Sequence, residues 1–258
     1  MMIDVNANLS RWPLRRTPCD EIPRLLATYR KHGVGQAWVG SLDGVLHRDI
    51  GGVNRRLADD CRRQREVELV PFGSVNPMLP DWQEDVRRCA EDHGMPGIRL
   101  HPNYHGYGLD DPAFAELLDL AVQHGLIVQV VVRMDDARTQ HRLLQIPDVD
   151  TAPLADALRP REKLRLVLLN GPARLAPGLS QLLAERRFWI DIATREGVGG
   201  VARLLNTVPP EQVLFGSHLP LFPLESAVLK VQEAGLDDGR REAVEQGNAS
   251  QLLASRKR

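Results

Sequence analysis

The sequence predicts a single α/β domain, residues 1–258, folded as a (β/α)8 barrel of the TIM type with an extra C-terminal helix. Three observations predict it. Short apolar, β-branched runs alternate with longer amphipathic stretches eight times in one uninterrupted series, as repeated strand–helix units require. Several short runs, such as LIVQVVV at 126–132 and LRLVLL at 164–169, are nearly continuous in apolar residues, which suits parallel strands buried on both faces. No G-x-G-x-x-G follows the first strand and no G-x-x-x-x-G-K-[ST] occurs anywhere, so the usual marks of an open nucleotide-binding sheet are missing.

The elements follow in order. A first strand at 2–6 leads to a helix at 20–32 that stops at His32-Gly33, then a strand at 34–40. The helix at 50–64 carries Arg55-Arg56 and Arg62-Arg63 beside acids, as a solvated face does, and the third strand is 68–74. Pro80 and Asp81 suit the start of a helix at 80–93, which sets Trp82, Val86, Cys89 and Ala90 on one face and stops at Gly94. Strand four is 97–101, and the helix after it, 112–124, starts behind Asp110-Asp111 and ends at His124-Gly125. Strand five, 126–132, precedes the longest connection, 134–150, an excess of loop that at a barrel's C-terminal face covers the active site. Helices at 151–158, 173–185, 198–206 and 223–234 then alternate with strands at 164–169, 188–193 and 212–216, and a last helix at about 239–254 closes the chain. Gly197-Val198-Gly199-Gly200 reads as a turn and cap for the helix at 198–206.

Composition limits the function classes. A chain of 258 residues that is 43% hydrophobic and 26% charged is ordinary for one barrel domain, and a net charge of -1 creates no field for nucleic acid or anionic membranes. Cys19, Cys61 and Cys89 are odd in number and far apart, with no ligand spacing, which suits free thiols in a reducing cytoplasm. No signal peptide and no membrane-length apolar run is expected, so the expected location is the cytoplasm.

In such a barrel chemistry sits where strands end, and side chains two apart on a strand share a face. Asn6 and Asn8 therefore project together from strand one. The segment GIRLHPNYHGYGLDD, 97–111, is the richest in the chain: Arg99 and His101 share a face, and His105 and Tyr107 follow in a loop. Two histidines within five residues invite a metal reading, but with no acidic or third imidazole partner evident, hydrogen bonding and stacking weigh more. Arg133 ends strand five. If Arg99 and Arg133 converge at the mouth they would grip a carboxylate or phosphate; the alternative is that each is neutralised by Asp4, Asp135, Asp136 or Asp191. Asn170 ends strand six and His218 strand eight. Ser217 and His218 are adjacent and face opposite ways, so they form no nucleophile pair. Asp191 and Glu196 are carboxylates placed to act as a general base, although Glu196 is equally well explained as a charge on a helix dipole.

Taken together, IDVNANL (3–9), residues 97–111, LRLVLLNG (164–171) and VLFGSHLPLFP (213–223) resemble the amidohydrolase superfamily, in particular its amidohydrolase-2 type of barrel. The resemblance spans essentially the whole chain. It implies a first strand ending in His-x-His, a histidine closing strands five and six, and an aspartate closing strand eight. Those groups hold one or two divalent metals for hydrolysis or decarboxylation of small organic acids, lactones and amides. Here the matching positions are Asn6 and Asn8, Val131, Asn170 and His218. Imidazole is a good zinc ligand, an amide oxygen a poor one, and a catalytic zinc needs three protein ligands. The expectation is therefore a barrel with no metal and no other cofactor. It would bind a small, anionic or polar molecule through Asn6, Asn8, Arg99, His105, Arg133 and Asn170, with His101 or His218 handling a proton. Two alternatives stay open: a non-catalytic scaffold barrel, homo-oligomeric or not, and a hydrolase whose metal has moved to His101, His105 and His218.

Overall fold

In this computed structural model, residues 1–255 are described except 173, 184 and 186. Eight parallel strands stand side by side in chain order: β1 (Met2–Leu9), β2 (Val34–Ser41), β3 (Glu68–Ser74), β4 (Gly97–Leu100), β5 (Ile127–Val131), β6 (Arg165–Leu169), β7 (Phe188–Asp191) and β8 (Val213–Leu214). Between β8 and β1 the barrel closes through Val5 N to Phe215 O at 2.9 Å, His218 N to Asn6 O at 2.7 Å and Asn8 N to Leu219 O at 2.8 Å. Helices α1 (Ile22–Lys31), α2 (Ile50–Arg63) and α3 (Trp82–Ala90) pack outside, followed by the short α4 (Pro102–His105) and by α5 (Pro112–Gln123). The second half adds α6 (Leu154–Leu158), α7 (Leu179–Leu183), α8 (Gly200–Leu205) and α9 (Leu224–Gln232). Residues 173 and 184 of the helix expected at 173–185 lie outside the described residues.

The expected C-terminal helix is present with one irregularity. Between α10 (Asp238–Glu242) and α11 (Asn248–Ala254) the turn Ala243–Gly247 widens to π geometry, and the Val244 carbonyl accepts a hydrogen bond from Phe215 N at 2.9 Å. Asn248 Nδ2 donates to Val213 O at 2.8 Å, so helix groups finish the hydrogen bonding of β8 and shorten it. Ala249 and Leu252 join Ile3, Val70, Ile127, Val167 and Leu214 in the interior cluster, which plugs the N-terminal end of the barrel. Higher in the same interior Trp38 stacks on Phe72, ring centres 5.0 Å apart.

One local feature sets the site. The β1–β2 register slips between Asp4 and Ala7, a bulge that changes the alternation along β1. Asp4 consequently faces outward, accepting from Tyr29 Oη at 2.8 Å and from Ser217 N at 3.0 Å, while Asn6 and Asn8 both enter the barrel. Among the described residues no helix is long and apolar enough to cross a membrane. The three cysteines are free, and Cys61 and Cys89 are buried in α2 and α3 as expected.

Candidate active site at the barrel mouth

Asn6, Asn8, His101, Asn170 and His218 gather at the C-terminal end of the barrel, all of them buried. Four side chains there form a hydrogen-bonded relay whose polarity can be worked out from its ends. Asp191 Oδ2 can only accept when ionised, so the atom facing it at 2.6 Å is Asn6 Nδ2. The second hydrogen of that amide goes to Asn170 Oδ1 at 2.8 Å. Asn170 Nδ2 then donates to the Arg133 carbonyl at 2.8 Å and to His218 Nδ1 at 3.2 Å. His218 Nδ1 is thereby the bare nitrogen, and Nε2 carries the proton donated to Met134 O at 2.7 Å. Asn170 N also donates to Asp191 Oδ1 at 2.9 Å, which the backbone permits because Asn170 sits at φ 54°, a left-handed conformation asparagine tolerates. His218 adopts φ 61° for the same purpose, turning its ring inward while Ser217 bonds Asp4.

Burial dominates the electrostatics. It pushes the Asp191 carboxyl up to about 6, against the pull of Asn6 and the Asn170 amide. It pushes His218 down to about 4, partly opposed by the bond to Met134 O, and His101 well below the ordinary histidine range. Among the described residues no three His, Cys, Asp or Glu side chains form a group able to hold a metal ion. At the family's ligand positions Asn6 presents two N–H bonds rather than a lone pair, and Val131 presents a hydrocarbon. Both His218 nitrogens are engaged, so the set does not fit a divalent cation. The relocated set fits no better, because both His218 nitrogens are engaged and, among the described residues, His101, His105 and His218 belong to no group of three able to hold an ion.

Arg99 is placed differently from the sequence expectation. It is fully buried, and its five N–H bonds all find acceptors: Gln129 Oε1 at 2.8 Å, Asn8 Oδ1 at 2.9 Å, and the carbonyls of Ala7, Val5 and Trp38. A side chain at Gly40 would lie 2.8 Å from Arg99 Cδ, so glycine makes the room. Burial lowers this guanidinium to about 10, and among the described residues no ion pair joins it to Asp4. Arg99 is a strut of the barrel, and it does not converge with Arg133. Arg133 pairs at 2.6 Å with Asp148 of the long loop, an acid the sequence reading did not weigh, and leaves Nε unpartnered. Glu196 pairs with Lys230 at 3.0 Å on the exposed side, and so is no general base of this site.

The residue missed is Arg195, past the end of β7. It is buried, Nη1 donates to Pro172 O at 2.6 Å, and Nε and Nη2 meet no partner among the described residues. Burial lowers its pKa, Asp191 opposes this and the like charge of Arg133 adds to it, so the three groups are electrostatic neighbours. The signal available in the sequence was Asp191 and Arg195 bracketing one strand end. Among the described residues His101 likewise has no hydrogen-bond partner at either ring nitrogen, and His105 has none at Nδ1. Each such group costs about 1–3 kcal/mol when left dry and unpaired. Over the mouth lie Trp12, Leu42, Val45, Met134 and Leu221, with Trp12 edge-on to Tyr104 at 5.9 Å. Of the long loop, Met134 at its start packs in this cluster.

A (β/α)8 barrel with its polar groups assembled at the C-terminal strand ends has the site placement of TIM barrels in general. The chain belongs to the amidohydrolase family: the Amidohydro_2 family model matches residues 20–254. No curated protein matches it. Among solved structures it is similar to a dihydroxybenzoic acid decarboxylase from Polaromonas sp. JS666, with bound manganese and the inhibitor 2-nitroresorcinol (14% identity, TM-score 0.78, covering 98% of this chain and 96% of that one). It is also similar to 5-carboxyvanillate decarboxylase from Sphingomonas paucimobilis (15%, 0.77, 98% and 98%). A third is 4-oxalomesaconate hydratase from Rhodopseudomonas palustris (14%, 0.70, 99% and 96%). At these identities the likeness is one of fold.

Proposed function

We propose that this barrel binds a small organic anion at its C-terminal mouth without a resident metal, and that the metal-dependent chemistry of its family is absent. The observation that carries the reading is Arg195, a buried guanidinium with two nitrogens unpartnered among the described residues, near enough to Arg133 to feel its like charge. A carboxylate leaving water needs paired charge and filled hydrogen bonds to offset its desolvation, and the two free nitrogens of the Arg195 guanidinium can supply both. The relay of Asp191, Asn6, Asn170 and His218 supports the second half of the proposal, because amide hydrogens satisfy both carboxylate oxygens of Asp191 and leave them no need of a cation. Asn6 and Asn170 therefore shape the site and do not hold the ligand. His101, with both nitrogens unengaged, is the histidine able to exchange a proton with a bound molecule; His218 is locked. The named substrates of two solved relatives, dihydroxybenzoic acid and 5-carboxyvanillate, are carboxylates, which is in keeping with an acid ligand here.

The test is a thermal-shift and calorimetric screen of the purified protein against small mono- and dicarboxylates. An acid should raise the melting temperature, and Arg195→Met and Arg133→Met should each weaken its binding at least tenfold. The Arg195→Met protein should keep the parent's fold without ligand, because among the described residues the guanidinium makes a single hydrogen bond, to Pro172 O. If no acid shifts the melting temperature, the scaffold reading replaces this one; it draws on the apolar cover of Trp12, Met134 and Leu221 over buried site residues.

A further inference from the structure

Three contacts cross the mouth of the barrel, and two of them come from one segment. Eight strands in chain order, closed between β8 and β1, put β5 opposite β1. From the connection after β1, Arg15 Nη2 reaches Asp135 Oδ1, beyond the end of β5, at 2.9 Å. Trp12 of the same connection lies edge-on to Tyr104 of α4, beyond the end of β4. From the β8 side, His218 Nε2 donates to Met134 O at 2.7 Å. Beneath these crossings Asn8, Ser74, His101 and His218, from four different strand ends, are 2% exposed or less. A solute can meet them only when part of the cover moves.

The two sides of the crossing are held unequally. After β5, Val149 N returns to Val132 O at 2.9 Å, Asn103 Nδ2 donates to Pro147 O at 2.9 Å, and Arg133 pairs with Asp148. After β1, no backbone–backbone hydrogen bond among the described residues holds residues 11–16, and the pairs Arg11–Glu21 and Arg16–Asp20 stay within the connection. Its first residue, Ser10, sits at φ 71°, a left-handed backbone that strains a serine. Pro13 and Pro18 fix φ at two further points, so the stretch between them moves as a unit. In the closed position Trp12 Nε1, Arg15 Nε and Thr17 Oγ1 are buried without a partner among the described residues, and water would fill all three. Opposing them are the Arg15–Asp135 pair and the burial of Trp12 in one cluster with Leu42, Val45 and Leu221. Such a balance lets a segment open locally while the barrel stays folded. We propose that the β1–α1 connection, residues 10–21, is a gate over the mouth, with Trp12 as its plug and Arg15–Asp135 as its latch. The gate admits any solute, acid or not, and so does not depend on the anion reading.

A thiol placed under the gate tests it. His101→Cys removes a side chain with no hydrogen bond among the described residues, and Cys61 and Cys89, buried in α2 and α3, are internal reporters of global unfolding. Ser74→Cys, at a fully buried hydroxyl without a partner among the described residues, is a second reporter if His101→Cys misfolds. Labelling by a thiol reagent is followed residue by residue by mass spectrometry, in urea concentrations below the unfolding transition. Gate opening exposes little surface, so the rate at 101 should be nearly flat in urea while those at Cys61 and Cys89 rise steeply. Adding Asp135→Asn, which keeps the acceptor for Thr139 but removes the charge that holds Arg15, should speed labelling at 101 at least tenfold and leave Cys61 and Cys89 unchanged. Trp12→Ala should act in the same direction. Labelling at 101 that tracks Cys61 and Cys89 would overturn the gate, since the mouth would then open only with the whole barrel. So would labelling as fast as that of a free thiol, or a rate at 101 that neither Asp135→Asn nor Trp12→Ala changes.

Discussion

The relay of buried groups makes a specific demand on pH. His218 is held neutral, with its pKa at about 4 instead of 6.5, chiefly because burial penalises the imidazolium. Between those two values the unfolded chain binds a proton that the folded chain refuses, so the stability contributed by His218 is complete above about 6.5 and lost as pH falls toward 4. A displacement of this size corresponds to about 3 kcal/mol. The perturbation is His218→Asn, chosen because asparagine tolerates the left-handed backbone at this position, φ 61°. Urea denaturation of parent and variant at pH 4, 5, 6 and 7 measures the effect as a difference, which removes the opposing contributions of Asp4 and Asp191, both pushed upward by burial, and those of His101 and His105, pushed downward. The parent's stability relative to the variant should rise by about 3 kcal/mol from pH 4 to pH 7. A difference flat to within roughly 0.5 kcal/mol would refute the reasoning: His218 would then be ionised or solvated in the fold, and the tautomer assigned from Asn170 and Met134 would be wrong.

Two further outcomes follow from the same geometry. Arg99→Met strands five buried acceptors, three of them backbone carbonyls, and should cost roughly 3 kcal/mol or more in urea titration even though it removes a desolvated charge; a variant as stable as the parent would show that the guanidinium is not wired as described. Protein expressed in zinc- or manganese-rich medium should hold well under one equivalent of metal after dialysis, with no change in melting temperature on adding a chelator; a stoichiometric, chelator-sensitive ion would restore the hydrolase reading.

The barrel was legible because parallel strands buried on both faces leave long apolar runs and because glycines such as Gly33, Gly94 and Gly125, all at positive φ, mark helix ends where expected. The boundaries were less so. The strand expected at 212–216 ends at Leu214, since its next amide is taken by the C-terminal helix, a tertiary contact with no local trace. At the site, strict alternation along β1 would have sent Asp4 inward with Asn6 and Asn8; the bulge between Asp4 and Ala7 separates them. The fate of Arg99 could not be read, because three of its partners are main-chain carbonyls and any residue supplies a carbonyl. Arg195 and Ser74 were passed over for a related reason: what singles them out is a missing partner, and sequence does not display missing partners.

The two halves of the mouth differ in a way that bears on whether this barrel has merely decayed. In the relay, six hydrogens meet six acceptors: two from Asn6 Nδ2, two from Asn170 Nδ2, one from Asn170 N and one from His218 Nε2. Reverting any single member to the family's residue would strand a neighbour, so one restored histidine should not rebuild a metal site. Such matching has a structural use of its own and needs no ligand. Across the mouth, Ser74, His101, His105, Arg133 and Arg195 carry buried polar atoms that the fold leaves unmatched, each at a cost in stability. A pocket without a ligand has a simpler solution available, the one adopted at Val131, where an apolar side chain stands in place of the family's histidine. Five buried side chains with unsatisfied polar atoms around a saturated relay are what the proposed anion reading accounts for and a silent scaffold does not.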